Sequence, residues 1–266
     1  MNRQSNLYTI IYSTILVIVV GVVLSVVYQA LRPQQLENMA NDTKRQILAS
    51  ARIIPSGDQT ISDLYSSHIK DSYIVDSKGQ KIDSDKDPFE INVALEVKKP
   101  ADERLLPVFE CTTDNGLKYI VPVYGAGLWG PIWGYLAFDS NGDTIYGAYF
   151  AHQGETPGLG AEIEKPQFCD QFEGKDIFSK SGEFISVSVV KVGKEPADKA
   201  WVHAISGGTI TSQGVEKMLL NSLEPYSAFF LNLKAGTPET DMTVSEPVPT
   251  FESTETAEVE LNSVEP

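Results

Sequence analysis

Residues 117–150 read LKYIVPVYGAGLWGPIWGYLAFDSNGDTIYGAYF, and the reading of this stretch decides the fold class. Three runs rich in Val, Ile, Tyr and Phe, at 117–124, 132–138 and 144–150, are each bounded by Gly, Asn or Asp, the composition of strands separated by turns. Between the last two runs, Asn141-Gly142-Asp143 suits a tight turn, because Asn and Gly tolerate positive φ. Strands joined this briefly pair antiparallel, so the stretch predicts a meander. At its centre, Gly125-Ala126-Gly127-Leu128-Trp129-Gly130 spells GxGxxG after a strand. A dinucleotide fingerprint needs a helix to start within that motif, so that its N-terminus faces the pyrophosphate. Here Pro131, Gly134 and the β-rich IWGYLAFD follow at once, so the segment reads as a glycine-rich hairpin connection. Trp129 and Trp133 are then packing residues whose rings are also able to flank an aromatic cofactor.

Toward the N-terminus, residues 58–115 are mixed, with strand-like runs at Tyr73-Ile74-Val75 and Ile91-Asn92-Val93-Ala94-Leu95. Before them, Leu36, Met39, Ile47, Ile53 and Ile54 recur at helical spacing, which predicts a membrane-proximal helix over 32–57 ended by Pro55-Ser56-Gly57. Residues 7–31 contain 25 positions without a charge. At about 1.5 Å rise per residue this is enough to cross a hydrocarbon core of about 30 Å, and it is too long for the apolar part of a signal peptide. Tyr8, Tyr12 and Tyr28 sit near its ends, as interfacial aromatics do. Arg3 flanks one side and Arg32, Lys44 and Arg45 the other, so charge counting leaves the orientation open.

The formal net charge of −15, with no basic run, excludes a nucleic-acid partner, whose binding depends on Lys and Arg displacing counterions. Cys111 and Cys169 are too few for a disulfide framework and lack the spacing of a zinc or redox pair, so we expect no metal site and two buried thiols, with a single bridge between them as the alternative.

Toward the C-terminus, residues 152–160, HQGETPGLG, hold three glycines and a proline in a tight loop that a planar ligand can approach closely. His152 has no partner at metal-ligand spacing, so a hydrogen-bonding role is expected of it. Strand-like runs at 184–192 and 199–205 lead into Ser206-Gly207-Gly208-Thr209-Ile210-Thr211-Ser212. A helix follows over about 212–233, capped by Thr211 or Ser212 and bent at Pro225. A turn between strand and helix offers free N–H groups and the positive end of the helix dipole to a phosphate, although an ordinary cap has the same composition. Beyond Lys234 the chain holds eight acidic residues and no basic ones, which predicts a disordered acidic tail over 236–266.

Taken together, GLWGPIWGYLAFD, HQGETPGLGAEIEKPQF and SGGTITSQGV resemble the membrane-anchored FMN-binding domain family. That family includes the C subunit of the sodium-translocating NADH:ubiquinone oxidoreductase and the G subunit of the Rnf complex. The resemblance covers the anchor and nearly all of the domain to about residue 223. It implies an α+β fold: one N-terminal transmembrane helix, then an antiparallel-sheet FMN-binding domain with flanking helices over 58–235. It further implies a short cytoplasmic N-terminus at 1–6, an anchor in the bacterial inner membrane and its lipid, and a soluble domain on the periplasmic side.

In that family a Ser/Thr-Gly-Ala-Thr motif receives FMN through a phosphoester bond to its last threonine, and the matching residue is Thr209, in Ser206-Gly207-Gly208-Thr209. Gly208 stands where the family usually has Ala, and His203 where an Asp is common. The resemblance implies covalent FMN as the cofactor, attached by a separate flavin-transferring enzyme. Glu155, Thr156, Gly158, Leu159 and Gly160 are expected along the flavin, Thr211 near the phosphate, and Trp129 and Trp133 nearby. The expected function is electron relay within the sodium-translocating complex, with its other subunits as partners and no complete NADH or quinone site on this chain. An Rnf-type flavosubunit and a non-redox anchored adaptor are the alternatives.

Overall fold

The computed structural model describes residues 6–57 and 59–236. The helices are α1 (Asn6–Ser50), α2 (Ile61–His68), α3 (Val93–Glu96), α4 (Pro166–Cys169), α5 (Thr209–Leu223) and α6 (Ser227–Gly236). The strands are β1 (Ile69–Val75), β2 (Lys81–Ile82), β3 (Leu106–Thr113), β4 (Gly116–Ala126), β5 (Pro131–Asp139), β6 (Ile145–His152), β7 (Ser188–Val190) and β8 (Trp201–His203). The expected residues 1–5 of the cytoplasmic segment and 237–266 of the acidic tail lie outside the described residues.

The meander read from 117–150 is present, within a six-stranded antiparallel sheet of order β2-β1-β3-β4-β5-β6. The α+β class is therefore as expected. Gly142, at φ 67°, closes the β5–β6 turn, and Asn141 Oδ1 accepts the N–H groups of Asp143 and Thr144. Pro122 is tolerated inside β4 because pairing with β3 runs only as far as Ile120, so the missing N–H falls where β4 has lost that neighbour.

Both faces of the sheet are covered, which explains why its strands are apolar on both sides. Val121, Val123, Ile132, Leu136, Phe138 and Phe150 form the main core with Val215, Met218, Leu219 and Leu223 of α5 and Phe229 and Phe230 of α6. On the other face Phe109, Cys111, Ile120 and Ala137 pack against Ile47 and Ala51 at the end of α1. Cys111 and Cys169 are free and buried.

The structure differs from the expectation at four element boundaries or identities. The first helix continues through Pro33 into the membrane-proximal segment, as expected, but ends at Ser50, ahead of the expected Pro55-Ser56-Gly57. Arg52 adopts φ 61° and Ile53 N–H donates to the Leu48 carbonyl at 3.0 Å, a left-handed helix closure that turns the chain once Ile47 and Leu48 have been buried. Residues 91–95 form no strand: Asn92 Oδ1 accepts the Leu95 N–H at 3.2 Å and starts α3. A short apolar run carries no period long enough to separate strand from helix, and the cap decides. Of the strand expected over 184–192 only β7 forms, parallel to β8, because Ser186 turns the chain at φ 57°. The last helix starts at Thr209, earlier than Ser212, and breaks at Pro225 as expected, through a 3-10 turn over Glu224–Tyr226.

Helix α1 is the one described helix long and apolar enough to cross a membrane, with a mean hydropathy of 2.8 in its apolar window. Its last turn is locked to the sheet, because Gly147 of β6 lies so close to the Ser50 carbonyl oxygen that a Cβ there would overlap it.

Candidate functional site

The first turn of α5 lacks a side-chain cap. Gly207, at φ 75°, brings the chain round from β8, and the Gly208 N–H donates to the Ile205 carbonyl at 3.0 Å. The first intrahelical bond is Ser212 N–H to the Gly208 carbonyl at 2.9 Å. The N–H groups of Thr209, Ile210 and Thr211 precede it and have no acceptor among the described residues. Neither expected cap serves as one. Ser212 Oγ accepts the Ile205 N–H at 3.0 Å, and Thr211 Oγ1 donates to Glu155 Oε2 at 2.6 Å. The helix end is thus left open as a set of donors at the positive pole of its dipole.

Glu155 is 5% exposed, and both its carboxylate oxygens are engaged: Oε1 accepts the Trp129 N–H at 2.8 Å while Oε2 holds Thr211. Its own N–H donates to His152 Nδ1 at 3.2 Å, the hydrogen-bonding role expected of His152. Two glycines make room for the carboxylate. A Cβ on Gly127 would overlap Oε1, and one on Gly160 would overlap Oε2 and Thr211 Oγ1. Of the GxGxxG glycines, Gly127 and Gly130 close a hairpin turn by Gly127 N–H to the Gly130 carbonyl at 2.8 Å, Gly127 also permits close approach to Glu155, and Gly125 permits close packing against Met218 of α5.

Above this floor lies a cleft of about 400 Å³. Nine of the twelve expected site residues line it: Trp129 from the β4–β5 turn, Glu155, Thr156, Leu159 and Gly160 from the loop after β6, and Gly207, Gly208, Thr209 and Thr211 at the start of α5. The Thr209 hydroxyl makes no hydrogen bond among the described residues. Three expected residues are not brought in. Trp133 points to the opposite face of the sheet, where its Nε1 donates to Gln46 Oε1 of α1 at 3.1 Å beside a second cleft of about 560 Å³. Its place on β5, one residue out of step with the core-facing Ile132 and Gly134, puts it there. Ser206 and Gly158 shape the flanking turns; Gly158 has φ 76° and donates its N–H to Glu162 Oε1 at 3.0 Å.

Sequence reasoning passed over Leu128 and Ile210, which also line the cleft. With Trp129 and Leu159 they make an exposed apolar rim, each between 42% and 68% exposed. Their signal was an apolar side chain set among glycines or hydroxyls, where no core position was due. His203 lies outside the lining: its N–H donates to Gln171 Oε1 at 2.8 Å, and its Nδ1 is 3.9 Å from Glu195 Oε1. The Gly193 N–H, with His203 contributing, holds the Glu195 carboxyl below the usual range.

The FMN-binding domain family model matches residues 127–224, a span from the β4–β5 turn to the end of α5 that contains all of the cleft. The C subunit of the Na(+)-translocating NADH-quinone reductase of Yersinia pestis is 30% identical over an alignment 234 positions long that covers 81% of this chain and 87% of the relative. The chain belongs to the family of these C subunits. The C subunit of Pseudomonas aeruginosa is 29% identical over 88% of this chain and 98% of its own length. The crystal structure of the C subunit of Parabacteroides distasonis is 48% identical and superposes with a TM-score of 0.69, over 75% of this chain and 96% of that one.

Proposed function

We propose that the cleft holds FMN through a phosphoester bond to Thr209, and that the protein is an electron-relay subunit of a sodium-translocating NADH:quinone reductase. The observation that carries this reading is the place of Thr209. It is the first residue of α5 at the edge of a cleft with an apolar rim; among the described residues its hydroxyl makes no hydrogen bond, and its own N–H and those of Ile210 and Thr211 have no acceptor. The residues fit the cofactor. Open N–H groups at a helix N-terminus suit a phosphate. Gly207 and Gly208 line the cleft next to Thr209, and Leu128, Trp129, Leu159 and Ile210 offer an apolar surface to a planar ring.

Bound there, FMN supplies the one- and two-electron redox chemistry that amino acids lack. The chain's own part is to fix and shelter it. The Thr209 hydroxyl is a poor nucleophile unaided, so attachment is assigned to a separate flavin-transferring enzyme with FAD as donor. The threonine oxygen–phosphorus bond forms as the FAD pyrophosphate bond breaks; AMP leaves and the hydroxyl proton passes to the transferase. The rim side chains would cover a face of the bound ring, and the open N–H groups of the first turn of α5 would hold the phosphate.

The same reading places the domain on the extracytoplasmic side of a bacterial inner membrane, with α1 in lipid and the remaining subunits of the complex as partners. Mass spectrometry of the tryptic peptide 200–217, from full-length protein co-expressed with the transferase, tests it. A gain of FMN less one water on Thr209 is expected, and none on a Thr209→Val variant. An unmodified wild-type peptide would overturn the covalent reading in favour of an adaptor whose SGGT turn only starts a helix.

A further inference from the structure

The cleft is assembled from three segments far apart in sequence: the β4–β5 turn, the loop after β6 and the first turn of α5. One side chain bonds to the other two segments from within its own. Glu155, in the loop, takes the Trp129 N–H of the turn on one oxygen and the Thr211 hydroxyl of the helix on the other. Glycine permits the close fit around this clamp. Gly127 and Gly160 leave space for the two oxygens, and a Cβ on Gly214, one turn along α5 from Thr211, would overlap the Ala126 carbonyl oxygen. With the helix seated on β4 in this way, the Thr211 bond fixes the rotation and height of its first turn. That in turn sets where the Thr209 hydroxyl and the three open N–H groups point.

We propose that Glu155 is the positioning residue for flavin attachment at Thr209, acting through Thr211 and Trp129 rather than by touching the cofactor. Resting on the FMN reading above, the proposal changes the role expected of this residue from the sequence. Burial supports the change: a side chain 5% exposed with both oxygens engaged has little left to offer a ligand.

The two partners make the clamp chemically distinctive. The Trp129 N–H can only donate, whereas a hydroxyl can donate or accept. Glutamine at 155 can therefore remake both bonds, its carbonyl oxygen accepting from Trp129 and its amide donating to Thr211 Oγ1. Alanine can make neither. The roles of charge and of geometry separate on this difference.

The test uses full-length protein co-expressed with the flavin-transferring enzyme. The initial rate of FMN incorporation into Thr209 is read by in-gel flavin fluorescence under denaturing conditions, and protection of the buried Cys111 and Cys169 from alkylation reports an intact fold. Glu155→Ala is expected to slow incorporation at least about tenfold with both thiols still protected, and Glu155→Gln to restore it to within about twofold of wild type. Thr211→Val is expected to slow it like Glu155→Ala, and the double variant to add little, since each single variant already loses the Thr211–Glu155 bond. If the alanine variant exposes its thiols, Thr211→Val carries the test alone. Wild-type rates in Glu155→Ala or Thr211→Val would overturn the proposal and leave the FMN reading standing. A glutamine variant as slow as the alanine one, with its thiols protected, would also overturn it. A wild type that takes up no FMN would overturn both.

Discussion

Thr211 Oγ1 donates to Glu155 Oε2 at 2.6 Å, a buried hydrogen bond between residues 56 positions apart that joins the start of α5 to the loop after β6. Removing the hydroxyl leaves one carboxylate oxygen buried without its donor. Thr211→Val should therefore lower the unfolding free energy by about 1–3 kcal/mol, a loss that an ordinary domain survives. Urea titration of the detergent-solubilised protein measures it, and an unchanged midpoint would show that water replaces the hydroxyl without loss.

Two glycines of the cleft should answer alanine differently. A Cβ on Gly160 overlaps Glu155 Oε2 and Thr211 Oγ1, so Gly160→Ala forces the clamp apart and should cost about 1–3 kcal/mol. At Gly208 the nearest contact for a Cβ is Ile205 Cγ2 at 3.1 Å, a side-chain atom, and φ is −101°, open to any residue. Gly208→Ala should shift stability by less than about 1 kcal/mol, and denaturant midpoints of the two variants should differ accordingly. Equal midpoints would contradict the steric assignment.

Gly147→Ala should loosen the junction between anchor and domain, because the added methyl meets the Ser50 carbonyl oxygen at the last turn of α1. Limited proteolysis in detergent reads this directly. Cleavage within residues 51–60 is expected to be faster than in wild type, with the rest of the domain resistant.

Alkaline pH should destabilise the fold. Burial pushes the thiols of Cys111 and Cys169 from 9.0 up to about 11, so between those values the unfolded chain has lost protons that the folded one retains. Stability contributed by the protonated thiols is complete below pH 9 and is lost as pH rises toward 11. The thermal midpoint should fall over that window, and Cys111→Ala should flatten the fall. An identical slope in that variant would assign the effect to other groups.

Local signals in the sequence determined much of this protein. The uncharged run at 7–31, the β4–β6 meander and its Asn-Gly turn, the Pro225 break and the SGGT turn were all legible, because each depends on hydrophobic period, turn chemistry or charge carried by neighbouring residues. Where a local signal was short it misled: the apolar run at 91–95 became α3, and 184–192 kept only three strand residues. The tertiary structure alone decided what the cleft is made of. Whether Trp133 faced α1 or the cleft depended on which face of β5 met the helix, and whether Thr211 capped α5 or clamped Glu155 depended on a contact made 56 residues away. Hydrophobic pattern fixes which residues are buried, but a buried carboxylate must find donors wherever the fold brings them, and those partners are set by packing between segments distant in sequence.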